Sequence, residues 1–259
     1  MSQYPKELKL AVLIDADNVP YSNVKGMMEE IAKFGTPTTK RIYADWTKPN
    51  AGGWKSVLLE HAITPIQQYS YTIGKNSSDS AMIIDAMDLL YSDKVDGFCI
   101  VSSDSDFTRL AIRLRESGMK VIGIGEKKTP NSFIVACDRF VYIEVLDGAI
   151  TKKKISKQNV LGTKKPIEPV EKEAASKVDL QTIELIEATI EAIGDDDGWA
   201  FLGDVGNLIV KKKPEFDPRN YGFNKLTPLL KSLTDILEID ERDSEKKGIK
   251  HVFVRLRFS

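Results

Sequence analysis

Three strand-like runs in this 259-residue chain end in loops that carry aspartate. Leu8-Lys9-Leu10-Ala11-Val12-Leu13-Ile14 gives way to Asp15-Ala16-Asp17-Asn18, and Lys40-Arg41-Ile42-Tyr43-Ala44 to Asp45-Trp46. Gly97-Phe98-Cys99-Ile100-Val101-Ser102 gives way to Ser103-Asp104-Ser105-Asp106. Runs of this kind read as strands buried on both faces, the situation of a parallel sheet. Between them, Val24, Met27, Met28, Ile31 and Phe34 recur at helical spacing after Pro20, and Val57, Leu58, His61 and Ala62 suggest a second helix. Asp79 to Leu90 is apolar on most sides, and Phe107, Leu110, Ala111 and Leu114 form a helical stripe closed by Gly118. Thr64 to Tyr69 reads as an edge strand, and Lys120–Gly125 and Phe140–Ile143 as two more. Strands alternating with helices over residues 1–150 predict an α/β domain with a mainly parallel sheet.

Residues 151–177 have no hydrophobic period and contain Lys152-Lys153-Lys154, Lys164-Lys165-Pro166 and Pro169, which predicts a lysine-rich linker. From Val178 the helical pattern returns through Leu180, Ile183, Ile186, Ile190 and Ile193. Further helices are expected around Phe201–Val210 and Tyr221–Leu233, then two alternating segments about a charged turn. Three helices and a hairpin over 178–259 describe a small winged helix-turn-helix domain.

Charge alone does not select a partner. Residues 1–150 carry 17 basic and 19 acidic side chains, 178–259 carry 12 and 16, and the segment between carries 8 lysines against 3 glutamates. Any nucleic-acid binding must therefore come from local patches. Cys99 and Cys137, the only cysteines, sit in apolar settings and read as buried thiols; with His61 and His251 the only histidines, no Cys/His zinc site is expected. No run is long and apolar enough for a membrane span, and the first seven residues lack the features of a signal peptide. We therefore expect a protein of the reducing cytoplasm.

The acids carry the chemistry. In an open α/β sheet, ligands bind beyond the carboxyl ends of the strands, where the strand order switches. Asp15, Asp17, Asp45, Asp104 and Asp106 all fall at strand ends, and Asp79 opens the buried helix. Carboxylates that converge repel unless a cation neutralises them, and hard oxygen ligands suit Mg²⁺ or Mn²⁺. Such an ion can activate water and stabilise the leaving oxygen of a phosphodiester. The competing roles are local. Asp17 can cap the helix after Pro20, and Asp106 the one after Ser105. Asp85 lies six residues beyond Asp79, about 240° around a helix, which favours a structural or supporting role for it and for Asp88. Lys75 is either a solvated loop lysine or a phosphate contact. Trp46 and Trp54 flank Gly52-Gly53 and either pack or stack on an unpaired base.

Asp15-Ala-Asp-Asn18, Tyr43-Ala-Asp-Trp46, Lys75-Asn-Ser-Ser-Asp79 with Asp85, and Ser103-Asp-Ser-Asp-Phe107 resemble the four signature segments of the NYN domain family, over about residues 8–145. The resemblance implies a PIN-like, Rossmann-related three-layer fold. It also implies an Mg²⁺- or Mn²⁺-dependent ribonuclease site of Asp15, Asp79, Asp104 and Asp106, with Asp17, Asn18, Asp45, Lys75, Ser103 and Asp85 nearby. Some members of this superfamily are inactive.

Trp199, Phe201-Leu202, Val205, Gly206 and the stretch Pro214 to Leu226, with Arg219-Asn-Tyr-Gly222 at its centre, resemble the OST-HTH (LOTUS) domain over about 178–258. That implies binding to RNA or to an RNA-associated protein. Lys211, Lys212, Lys213, Arg219 and Lys225 are the candidate phosphate contacts, with Lys231, Lys246, Lys247 and Lys250 also available. The sequence thus predicts a metal-dependent ribonuclease, most simply an endonuclease of single-stranded RNA. The alternatives are an inactive RNA-binding adaptor that keeps the fold, or a phosphatase or nucleotidyl-type enzyme, since Asp-x-Asp after a first strand also occurs there. The residues after Asp17 do not follow the usual phosphatase pattern.

Overall fold

The computed structural model describes residues 7–47, 53–69, 77–146, 178–243 and 250–257. The chain divides into two compact units, Met1–Asn159 and Val160–Ser259. The segment expected as a lysine-rich linker lies outside the described residues.

The first unit is built on six strands, β1 (Lys9–Asp15), β2 (Thr36–Ala44), β3 (Thr64–Gln67), β4 (Gly97–Val101), β5 (Lys120–Gly125) and β6 (Arg139–Tyr142). They lie in the order β3-β2-β1-β4-β5-β6, and every pairing is parallel. Side chains of a strand alternate between faces, so β1 feeds two cores. Ala11 and Leu13 join one cluster, and Leu10, Val12 and Ile14 the other. The first cluster also takes Met82, Ala86 and Leu89 from α3 (Ser77–Tyr91), Leu110, Ala111 and Leu114 from α4 (Thr108–Glu116), and Phe133 and Ile134 from α5 (Asn131–Ala136). The second takes Val24, Met27 and Ile31 from α1 (Val24–Ile31) and Trp54 and Leu58 from α2 (Trp54–Glu60). Helices on both faces of a parallel sheet make the expected three-layer PIN-like architecture.

The chain runs outward from β1 to β2 and β3, then crosses along α3 to β4 on the other side of β1. The strand order therefore switches between β1 and β4. Ile14 pairs with Val101, which sets Asp15 and Ser102 side by side where both strands end. This is where an open α/β sheet offers a crevice.

The second unit contains α6 (Leu180–Ile193), β7 (Ala200–Phe201), α7 (Leu202–Lys212), α8 (Leu226–Lys231) and the hairpin β8 (Leu237–Asp243) and β9 (Lys250–Leu256). The strands pair antiparallel in the order β7-β9-β8. Asp179 caps α6, accepting from the Thr182 amide (2.8 Å) and hydroxyl (3.0 Å). Ile186, Ile190, Val205, Ile209, Phe216, Leu229, Leu230 and Val254 form its core. Three helices and a hairpin are present as expected, but the helix expected from Tyr221 begins only at Leu226. Pro218–Tyr221 forms a 3-10 turn instead, and Gly222, at φ 85°, ends it in a left-handed conformation that a continuing helix cannot adopt.

Candidate metal centre

Asp15 ends β1 at 1% exposure, with both carboxylate oxygens engaged. Oδ2 accepts from Asn18 Nδ2 (2.6 Å) and Ser102 Oγ (2.9 Å), and Oδ1 from the Asp17 amide (3.1 Å). Burial pushes its pKa above the usual carboxylate value, and these three donors oppose that shift. Ser102 passes the order on, since its Oγ accepts from the Asp104 amide (3.1 Å). Ser103 Oγ in turn accepts from the Glu126 amide (2.9 Å), anchoring the loop after β4 to the end of β5. Neighbouring strand ends thus hold the segment that carries Asp104 and Asp106.

Asp104 Oδ1 accepts from the Asp106 amide (2.9 Å) and caps the 3-10 turn Ser105–Phe107. Capping here falls to Asp104 and not to Asp106. Across the crevice, Asp79 stands in the first turn of α3 at 7% exposure, where the helix dipole favours a negative charge. One carboxylate oxygen each from Asp79, Asp104 and Asp106 lie within 4.8 Å of one another. At such separations each pair of charges repels by between about 1 and 4 kcal/mol, depending on how much water screens it. A divalent cation removes that cost, and three hard oxygen donors that leave positions for water and phosphate fit Mg²⁺ or Mn²⁺. Asp15 is not one of the three. It is linked to their loop through Ser102, which donates to Asp15 and accepts from the Asp104 amide.

Residues 9–144 match the family model of the NYN domain. The chain belongs to the NYN domain family. An NYN domain has a nuclease-like fold. Residues 173–249 match the OST-HTH/LOTUS domain, a module associated with RNA binding. Among solved structures, the chain is similar to a protein of unknown function from Vibrio parahaemolyticus at 22% identity and a TM-score of 0.45, covering 54% of this chain and 96% of that one. It is also similar to an uncharacterized protein from Nitrosomonas europaea at 30% identity and a TM-score of 0.30, covering 39% and 94%. No curated protein matches. Among the described residues, no helix is long and apolar enough to cross a membrane.

The remaining residues of the NYN domain divide by what they touch. Asn18 is tied to Asp15, while the Asp17 side chain is exposed and caps neither the 3-10 turn after Pro20 nor α1. Asp45 Oδ1 accepts from Thr47 Oγ1 (2.6 Å) and Gln67 Nε2 (3.1 Å), fastening the ends of β2 and β3 together. Asp85 faces β2, where it accepts from Arg41 Nη1 and Tyr43 Oη. Tyr43 is fully buried, and burial followed by the bond to Asp85 raises its pKa well beyond the ordinary tyrosine value. Trp54, a candidate base platform by sequence, is 2% exposed and belongs to the core, so it cannot stack on a base. Trp46 is half-buried, with its indole N–H on the Ile66 carbonyl (2.9 Å). Lys75 lies outside the described residues. Burial also raises both thiols, that of Cys137 to about 12, so neither is a nucleophile at neutral pH.

In the OST-HTH domain, Arg219 does not present a free fork to phosphate as the sequence suggested. Its Nε and Nη2 donate to the two oxygens of Asp217 (2.9 and 2.7 Å), and the Asp217 side chain is only 7% exposed. Asn220 donates to the Glu215 carbonyl (3.0 Å), and the Tyr221 hydroxyl lies 2.8 Å from that of Thr182. The Arg219–Gly222 segment therefore fastens the 3-10 turn to its own domain. Lys211, Lys212 and Lys225 are exposed and Lys213 is half-buried. The ammonium groups of Lys212 and Lys213 lie 3.3 Å from the Thr189 and Thr182 hydroxyls. Lys246 and Lys247 lie outside the described residues.

Sequence reasoning missed Ser102, which links Asp15 to the Asp104 amide. Its role follows from the pairing register, which sets the residue one step beyond the last β4 pair beside Asp15 and leaves no local mark in the sequence.

Proposed function

We propose that the NYN domain hydrolyses phosphodiester bonds of RNA with a divalent cation, Mg²⁺ or Mn²⁺, held by Asp79, Asp104 and Asp106. The convergence of these three carboxylates at the switch in strand order carries the reading. When bound, the ion supplies Lewis-acid activation of water and of the scissile phosphate. The protein's own part is to hold the ligands in place. Asp104 is fixed through its amide by Ser102, Ser102 is fixed by Asp15, and Asp15 by Asn18. Asp106 is exposed and Asp104 half-exposed, so a strand can lie across the site without threading an end, which favours endonucleolytic attack. The OST-HTH module brings RNA, or a protein that carries it, through surface lysines such as Lys211 and Lys225.

A second reading, an RNA-binding adaptor that keeps the fold without turnover, draws on Asp15. Its carboxylate is taken up by Asn18, Ser102 and the Asp17 amide, and it is not among the three converging ligands. Incubation of the purified chain with labelled single-stranded RNA in Mg²⁺, Mn²⁺ or EDTA separates the two. Cleavage that requires the ion supports the nuclease, and RNA bound but left intact supports the adaptor.

A further inference from the structure

The loop that follows Asp15 carries an aromatic ring that the core does not use. Tyr21 opens the 3-10 turn Tyr21–Asn23 and is 49% exposed, although its neighbours Val19, Asn23 and Val24 are 5%, 6% and 1% exposed. The ring rests on Gly53, just before α2. A Cβ placed on Gly53 would come 2.4 Å from Tyr21 Cε1 and 2.7 Å from Cδ1, so a glycine is required for the ring to lie where it does. A ring supported on bare backbone, between buried anchors in its own loop, is pre-organised and still open to solvent over about half its surface.

Its place ties it to the acids. The Asn18 amide donates to the Asp15 carbonyl (3.4 Å), a tight turn that shortens the path, and Tyr21 lies three residues beyond it. Tyr21 Cα is then at most about 17 Å from that of Asp15, within reach of the same short piece of nucleic acid. At the same end of the sheet Trp46 follows β2, and Tyr69, 54% exposed, follows β3. Aromatic residues thus follow three neighbouring strand ends on one flank of the carboxylates.

We propose that Tyr21 is a base-stacking residue of this site, taking one unpaired nucleobase of a single-stranded RNA whose phosphate lies at Asp79, Asp104 and Asp106. This rests on the reading of the acidic cluster as a phosphodiester site. Stacking tolerates any base, and a duplex keeps its bases unavailable, so the ring selects single strands without selecting sequence.

The test is photo-crosslinking of the full chain carrying Asp104→Asn to 12-nucleotide single-stranded RNAs with 5-iodouridine at successive positions, with the crosslinked peptide mapped by mass spectrometry. The expected result is a crosslink at Tyr21 from one or two adjacent positions. Tyr21→Ala and Tyr21→Leu should lose it and weaken binding about fivefold or more, while Tyr21→Phe keeps both. Leucine retains apolar contact with Gly53, so a loss shared by both variants reports the aromatic face and not packing. Crosslinks elsewhere, with Tyr21→Ala binding as tightly as its parent, would overturn the proposal. Metal-dependent cleavage by the wild-type chain is scored in parallel. Cleavage with a silent Tyr21 sinks the stacking residue alone, whereas no cleavage and no crosslink at Tyr21 sinks both readings.

Discussion

Replacing Asp85 by alanine should unfold the NYN domain more easily and leave its chemistry in place. The Asp85 carboxylate accepts from Arg41 and Tyr43, and its side chain is 20% exposed. Tyr43 is fully buried, so its hydroxyl would lose its acceptor without gaining water, a cost of about 1–3 kcal/mol. The Arg41 side chain is 32% exposed, so its lost pairing adds only about 0.5–1 kcal/mol. A loss of about 1.5–4 kcal/mol corresponds to a fall of about 3–16 °C in the midpoint of a domain this size. Thermal and urea unfolding of the full chain, followed by circular dichroism, reads this directly. In a Tyr43→Phe background no hydroxyl is orphaned, and the cost of Asp85→Ala should shrink by about 1–2 kcal/mol. Cleavage per folded molecule, measured well below the new midpoint, should survive. If Asp85→Ala instead leaves the unfolding transition unmoved and abolishes metal-dependent cleavage, Asp85 is a ligand and not a structural acceptor.

Two further predictions concern the acidic crevice. Asp15 has a folded pKa above its ordinary 3.8, so between those values the native state holds a proton that the unfolded state has released. In EDTA this contribution to stability is fully present below pH 3.8 and is lost as pH rises through the folded pKa. Asp15→Asn should remove that slope, and urea titrations of both proteins across the window check it; a wild-type contribution that grows with pH contradicts the assignment. For the ion itself, Mg²⁺ or Mn²⁺ at about ten times its dissociation constant should stabilise the NYN domain by about 1.4 kcal/mol, or about 3–6 °C in midpoint. Asp104→Asn should lose most of that gain, and NaCl of equal ionic strength should not reproduce it in the wild type.

The sheet was legible because a strand buried on both faces cannot hide its composition. Each run from Leu10 to Ile14 or Phe98 to Val101 is apolar throughout, and the polar residues after it, Asp15 and Ser102, mark where the strand ends. The three converging acids were legible for the same reason, since strand ends and the start of the buried helix share one end of the sheet. Non-local partners were not. Nothing in the order of residues shows Asp85 turned toward Tyr43 and Arg41 across the space between helix and sheet. Trp54 could not be separated from Trp46 by sequence, because burial of one depends on α2 lying down on the second core. Arg219 has the composition of a phosphate contact, yet Asp217 two residues earlier takes its fork through a turn set by Pro218 and Gly222. Asp104 was legible as an acid of the site, but its second role as a cap depends on a 3-10 turn too short to leave a periodic signal.

The most direct test of the metal-dependent nuclease reading is cleavage of one end-labelled single-stranded RNA by wild type and Asp104→Asn, purified side by side, in Mn²⁺, Mg²⁺ and EDTA. Internal cuts by the wild type are expected with either ion and none in EDTA. Asp104→Asn should lose at least a hundredfold in rate, an effect of about 2.7 kcal/mol on the barrier, while remaining folded as judged by circular dichroism. Equal cleavage by the two proteins, or cleavage that persists in EDTA, would rule out a metal-dependent site at Asp104.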